Sequence, residues 1–162
     1  NIFIRIKNEL NEPYSSRLPL PVYDRTMDVD TLFAGVHNST NIACNCFRDQ
    51  QDDTIKNFEQ SIIYYINNNL NNSDLYIKSV KSHFGISEQT LQGIIKKYAE
   101  TTFFDYVEKK RMEIAQNLLL YTSVPISELY LRCGYSTLNS FYKAFKRNFG
   151  VAPSKLREKG MT

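Results

Sequence analysis

Two stretches of the chain, IKSVKSHFGISEQTLQGIIKK at residues 77–97 and ISELYLRCGYSTLNSFYKAFKR at residues 126–147, follow the same pattern. Their first halves match at an offset of 49 residues, and after one inserted residue their second halves match at an offset of 50. Each copy predicts a short helix, a break that contains glycine, and a second helix with a polar start and a basic end. Glycine suits the break because it reaches positive φ without steric cost. The pattern predicts a helix-turn-helix, and its duplication is far more specific than one copy alone.

The residues around the two copies predict further helices and no strand between them. Apolar residues recur at helical spacing over 55–70, and the segment 72–74 offers capping side chains for the first helix-turn-helix. A long helix follows, which we expect Thr102 to cap, and a short final helix opens at Pro153. Residues 55–162 are therefore predicted to form a mainly α, seven-helix domain in which the long helix links two helix-turn-helix units.

The first 54 residues have a different pattern. The isoleucines at positions 2, 4 and 6 alternate with other residues, a period of two that is typical of a β-strand. The apolar runs Thr31–Val36 and Ile42–Phe47 suit two further strands. We expect residues 1–54 to be a short β or irregular segment, the tail of a sensor or dimerisation region.

Composition excludes several classes of protein. The 162 residues are 42% hydrophobic and 13% aromatic, which is typical of a globular chain rather than a disordered one. No run approaches the roughly 20 apolar residues of a membrane-spanning helix. Three cysteines cannot close a disulfide framework, so a reducing, cytoplasmic compartment is expected. The chain opens without Met or a signal peptide, and we expect it to be a fragment of a longer protein.

Charge is distributed unevenly along the chain. Residues 1–54 hold five basic and eight acidic residues, whereas residues 132–162 hold seven basic and one acidic residue. A basic end on an otherwise balanced chain is the electrostatic footprint of a nucleic-acid-binding protein. On charge alone, a solvated basic face explains the same asymmetry equally well.

The second helix of a helix-turn-helix presents its first two turns to base edges in the major groove. The amides of Gln89, Gln92 and Asn139 suit an adenine edge, and Lys143 suits the acceptors of guanine. The predicted base-reading residues are those outside the apolar stripe: Gln89, Thr90, Gln92, Thr137, Leu138, Asn139, Tyr142 and Lys143.

Basic and hydroxyl side chains at the ends of the same helices, together with basic residues of the short final helix, suit the DNA backbone. Phosphate contacts fix the register of a protein on the duplex and supply salt-sensitive affinity. The predicted phosphate contacts are Ser87, Lys96, Lys97, Ser136, Lys146, Arg147, Lys155 and Arg157. For each polar residue, the competing interpretation is a solvated helix face.

The motif ISE…CGYS…F…FK…FGVAP…LR within residues 126–157, with RMEIAQNLL at 111–119, resembles the C-terminal DNA-binding domain of AraC/XylS-family transcription regulators. The resemblance covers about two-thirds of the chain. It implies a seven-helix fold that places two reading helices, 87–97 and 137–149, in successive major grooves about 34 Å apart. It also implies sequence-specific activation or repression of transcription without a cofactor. The implied partners are double-stranded DNA, RNA polymerase, and a second copy bound through the N-terminal or missing region.

The first copy departs from the family pattern at one position. Gly93 stands where many members of the family have an arginine that often touches DNA. Either the first helix-turn-helix reads DNA weakly, which we favour, or the missing side chain admits a close approach of the backbone. Arg111, in the apolar stripe of the long helix, is expected to make an intradomain contact rather than to read bases.

The sequence gives little support to other functions. There is no glycine-rich phosphate loop or nucleophile elbow, and the pair Cys44 and Cys46 lacks the second pair that a zinc site needs. These two cysteines are expected to be free thiols, and Cys133 is expected to lie in the core. The alternative to a DNA-binding regulator is a protein-interaction module in which the helical domain serves as a scaffold.

Overall fold

The computed structural model describes residues 2–18 and 26–160, and these residues are helical with no β-strand among them. The helices are α1 (Ile2–Glu9), α2 (Tyr14–Arg17), α3 (Val29–Asn68), α4 (Ile77–Phe84), α5 (Glu88–Ala99), α6 (Phe103–Tyr121), α7 (Ile126–Arg132), α8 (Leu138–Phe149) and α9 (Pro153–Gly160). The predicted mainly α class is confirmed. In this part of the chain, no helix is both long and apolar enough to cross a membrane.

The chain forms two compact units, Asn1–Phe58 and Glu59–Thr162. The boundary predicted between residues 54 and 55 falls inside α3, which runs from the first unit into the second. In the first unit, α1 and α2 pack on the N-terminal part of α3. Their common core comprises Leu10, Tyr14, Leu18, Ala43 and Cys46.

The β-strands predicted within residues 1–54 are wrong. Residues 2–6 belong to α1, and both Thr31–Val36 and Ile42–Phe47 lie within α3. In α1 the buried side chain is Phe3, while the alternating Ile2 and Ile4 are exposed, so the period of two did not mark an inward face.

The core-facing positions of α3 explain why its helical period was missed. Its buried residues there are Ser39, Ala43 and Cys46, at helical spacing but small or polar. Asp28 starts the helix, because its carboxylate accepts the Thr31 N–H at 2.9 Å. The helix therefore begins about two dozen residues earlier than the apolar pattern over 55–70 suggested.

The second unit contains two hydrophobic cores joined by α6. The N-terminal half of α6 buries Phe103, Tyr106 and Val107 in a core with the end of α3, α4 and α5. Its C-terminal half buries Met112, Ala115 and Leu119 in a core with α7 and α8. Ile114 packs against both cores. The predicted long linker helix is thus confirmed as the element shared by the two helix-turn-helix units.

The predicted cap of the long helix at Thr102 and the predicted start of the final helix at Pro153 are confirmed. Ser87, Thr102 and Thr137 cap α5, α6 and α8, each hydroxyl accepting the N–H three residues later. The capping role predicted for residues 72–74 is wrong. Instead the Asn72 side chain accepts the Asp74 N–H at 2.9 Å within the loop, and α4 begins at Ile77.

The two turn glycines differ in their surroundings. Gly85 and Gly134 both have positive φ, at 65° and 75°. A methyl group on Gly85 would meet nothing within 4 Å, whereas one on Gly134 would overlap the Leu70 carbonyl oxygen and lie 2.9 Å from Arg111 Nε. The second turn therefore needs glycine for both its backbone conformation and its close packing.

Alanine substitutions at these glycines separate the two requirements. We expect Gly85→Ala to lower the free energy of unfolding by about 1–2 kcal/mol, the cost of a left-handed alanine. Gly134→Ala should cost about 2 kcal/mol beyond that, because its methyl group displaces a charged hydrogen bond. Urea denaturation of both variants measures the difference. Equal losses would show that the contact at Gly134 has no energetic weight.

Candidate nucleic-acid interface

The structure gives α5 and α8 the same local design. Each follows a glycine of positive φ, and each opens with a capping hydroxyl that also contacts a second hydroxyl three residues later, Ser87 with Thr90 and Thr137 with Ser140, both at 2.8 Å. Thr137, and not Ser136, caps α8. The hydroxyls of Ser87, Thr90 and Thr137, predicted as DNA contacts, therefore already serve in the first turns of their helices.

The outward faces of α5 and α8 correspond residue by residue. Leu91, Ile94 and Ile95 are buried in α5, and Phe141, Ala144 and Phe145 are buried in α8. By helical geometry, the opposite face presents positions 89, 93 and 96 in α5 and positions 139, 143 and 146 in α8. These outward residues are all exposed: Gln89, Gly93, Lys96, Asn139, Lys143 and Lys146.

The remaining base-reading candidates lie on the flanks of this face. Leu138 and Tyr142 are partly exposed, and the Tyr142 ring packs edge-on against Phe141. Gln92 is half-buried, and its Oε1 accepts the Phe103 N–H at the start of α6, at 3.2 Å. Gln92 therefore holds the linker helix to the first reading helix, which the sequence pattern did not reveal.

A matched ion pair braces the C-terminal end of each reading helix. Lys97 donates to Glu59 at 2.6 Å, and Arg147 donates to Glu108 through two nitrogens. The glutamates lie on the helix that precedes each helix-turn-helix, at the same offset of 49 residues as the turns. Glu108 holds the pKa of Arg147 above its ordinary value. Both glutamates were missed, although the repeat offset could have identified them.

One arginine beside each helix-turn-helix donates hydrogen bonds to backbone carbonyls of the segment that precedes the motif. Arg111 donates from Nε to the Leu70 carbonyl at 2.9 Å and from Nη2 to the Asn72 carbonyl at 2.7 Å. Its guanidinium also lies over the Tyr135 ring, 5.5 Å from the centroid. The predicted intradomain role of Arg111 is confirmed.

Arg157 makes the equivalent contacts at the second helix-turn-helix. It donates to the carbonyls of Leu119 and Val124, at 3.4 and 2.7 Å. Its predicted phosphate contact stays a prediction, and its hydrogen bonds describe a structural role. Two other predicted phosphate contacts are exposed: Ser136 lies in the turn before α8, and Lys155 lies on α9.

Burial shifts the pKa values of three side chains around the second turn. Burial raises the pKa of the Cys133 thiol to about 11 and of the Tyr135 phenol to about 12. Burial also lowers the pKa of Arg111 below its ordinary value. Cys133 is fully buried, which confirms its predicted place in the core. Among the described residues, no group of three His, Cys, Asp or Glu side chains is arranged to hold a metal ion.

Comparison with known sequences identifies the domain. Residues 81–159 match the family model of a helix-turn-helix domain. The probable transcription factor PqrA of Proteus vulgaris is 32% identical over 89 residues, which are 55% of this chain and 73% of PqrA. The HTH-type transcriptional activator RhaR of Cronobacter sakazakii is 35% identical over 77 residues, which are 48% of this chain but 27% of RhaR. The chain thus spans only about a quarter of RhaR.

Solved structures share the fold. The C-terminal domain of AraT, a response regulator from Geobacillus stearothermophilus, superimposes with a TM-score of 0.60 at 35% identity, covering 63% of this chain and 84% of that domain. The DNA-binding domain of AdpA, solved in complex with a target DNA, has a TM-score of 0.58 at 17% identity, covering 62% and 90% of the two chains. At that identity AdpA is evidence of the fold alone.

Gly93, on the outward face of α5, gives a direct test of whether the first helix-turn-helix reads DNA. A methyl group on Gly93 meets nothing within 4 Å, so Gly93→Ala should stabilise the protein by about 1 kcal/mol in thermal or urea unfolding. If the first helix-turn-helix reads DNA weakly, the affinity of the variant for duplex DNA should be unchanged. A loss of affinity in the more stable variant would instead show that DNA approaches the backbone there.

Proposed function

Because the chain belongs to the AraC/XylS family of transcription regulators, we propose that it binds double-stranded DNA through both reading helices and thereby regulates transcription. The observation that carries the proposal is the duplication of one exposed face on two helices tied to a single linker helix. The segments 87–97 and 137–149 are the two readers, each entering one of two successive major grooves. A cytoplasmic location belongs to the same proposal, which includes no catalytic role.

The two readers contribute unequally in this proposal. The second presents Asn139 and Lys143 toward bases, an amide for adenine and an ammonium group for guanine. The first has Gln89 and, in place of a cation, Gly93. Specificity therefore rests mainly on α8, while α5 contributes position and backbone affinity.

The basic residues divide between two tasks. Lys96 and Lys146 occupy equivalent exposed positions one turn behind the base readers and suit phosphates. Lys97 and Arg147 are held by glutamates, so their proposed phosphate contacts compete with the ion pairs that brace the helices. Surface ion pairs contribute about 1 kcal/mol or less, and a phosphate can displace them.

Two further partners remain proposals. A regulator of transcription has RNA polymerase as its natural protein partner. A second copy of this chain, bound through residues 1–54 or a region outside the sequence, would double the number of contacted grooves. The alternative function, a protein-binding scaffold, leaves the outward lysines of α5 and α8 without a ligand.

A single substitution tests base reading. In a duplex selected from a random pool, we expect Asn139→Ala to cost about 1–3 kcal/mol of binding free energy and to relax the preference at one base pair. Asn117→Ala changes the same side chain at an exposed site on α6 and serves as the control. A uniform loss on all sequences would show that Asn139 contacts only the backbone.

The salt dependence of binding separates the regulator from the scaffold. With about five phosphate contacts, the logarithm of the association constant should fall with the logarithm of salt concentration with a slope of about −4.5. Lys146→Gln should reduce that slope by about 1 on every sequence. Lys56→Gln, an exposed lysine on α3, should leave it unchanged. Absence of a salt slope would favour the scaffold.

A further inference from the structure

The second unit has a hollow of about 570 Å³ whose walls come from both helix-turn-helix units and the linker helix. This volume lies within the range of about 300–1,000 Å³ that is typical of small-molecule sites. Its floor is formed by Leu75, Phe103 and Val107, which are buried. Contacts with base edges and phosphates require neither a hollow of this volume nor its buried apolar floor.

Aromatic side chains form the rim of the hollow. Tyr76 and Phe104 line it and are 58% and 66% exposed, high values for large apolar rings. Tyr135 lines it from the second turn. Exposed aromatic rings around an apolar floor suit a flat apolar molecule that stacks between them.

The charges around the hollow leave an excess of positive charge. Of the two lining carboxylates, Glu108 is paired with Arg147, and of the three lining cations, Arg111 is engaged with backbone carbonyls. What remains is Glu88 against Lys78 and Lys81. The two lysines are three residues apart on α4 and hence lie on one side of that helix.

We propose that this hollow binds a planar apolar molecule that carries one carboxylate, with its ring over the floor and its carboxylate at Lys78 and Lys81. Such a ligand would touch the first residue of α5 and the turn before α8 at once. It would therefore link small-molecule binding to the arrangement of the two readers. This ligand binding does not require DNA, because the affinity of the hollow for the ligand is measured in the absence of DNA.

The test measures binding of 2-naphthoate to the full chain by the fluorescence of this probe. Because the chain has no tryptophan, tryptophan emission does not interfere with the signal. We expect saturable binding at one site with a dissociation constant of about 1 mM or lower. The uncharged methyl ester should bind at least about fivefold more weakly, because it lacks the charge that the lysines recognise.

Variants locate the site. The double variant K78Q/K81Q should bind acid and ester equally, whereas Phe104→Ala should weaken both. Lys56→Gln and Tyr121→Ala, at exposed positions outside the hollow, are the matched controls and should bind as the unmodified chain does. Circular dichroism checks that each variant is folded.

Three results would overturn the proposal. The first is that 2-naphthoate does not bind, or binds without saturation. The second is that K78Q/K81Q still prefers the acid to the ester as the unmodified chain does. The third is that Phe104→Ala leaves the affinity for 2-naphthoate unchanged. If naphthoate does not bind but K78Q/K81Q weakens duplex binding, the hollow faces DNA and has no small-molecule role.

Discussion

The arrangement of the two readers depends on one half-buried cation. Arg111 lies at the middle of the linker helix and donates to the carbonyls of Leu70 and Asn72, just before the first helix-turn-helix. Its guanidinium also lies over the ring of Tyr135, in the turn of the second helix-turn-helix. Gly134 is packed against the same guanidinium and the same Leu70 carbonyl. A partly desolvated guanidinium is costly unless its donors are satisfied, so these contacts fix both helix-turn-helix units on α6 together.

The remainder of the second unit follows from duplication of one design. Each copy has a turn glycine, a capping hydroxyl, a glutamate brace and an arginine that binds the carbonyls ahead of it. The copies differ in two places. Lys143 on the outward face of α8 corresponds to Gly93 in α5. Of the two turn glycines, Gly134 packs directly against Arg111 of the linker helix, whereas Gly85 does not. The asymmetry therefore resides on the reading face and at the central junction, while the supporting contacts are shared.

The sequence predicted much of the second unit because its signals are local. Glycine breaks, hydroxyl caps and an apolar stripe of period 3.6 located α5 to α8 closely. The first unit was misjudged because α3 buries small and polar residues such as Ser39 and Cys46, so its inward face carries no apolar period. The contacts of Gln92 with α6 and of Arg157 with Val124 join residues more than ten positions apart, and no local pattern encodes them.

We propose that one chain holds two readers at a fixed distance that matches successive grooves of one duplex. The most direct measurement is the affinity of the full chain for a selected duplex and for the same duplex with five base pairs inserted between the two contacted segments. The insertion moves one segment by about half a helical turn. We expect the longer duplex to bind at least about tenfold more weakly, equivalent to about 1.4 kcal/mol of binding free energy. Equal affinity for the two duplexes would contradict it.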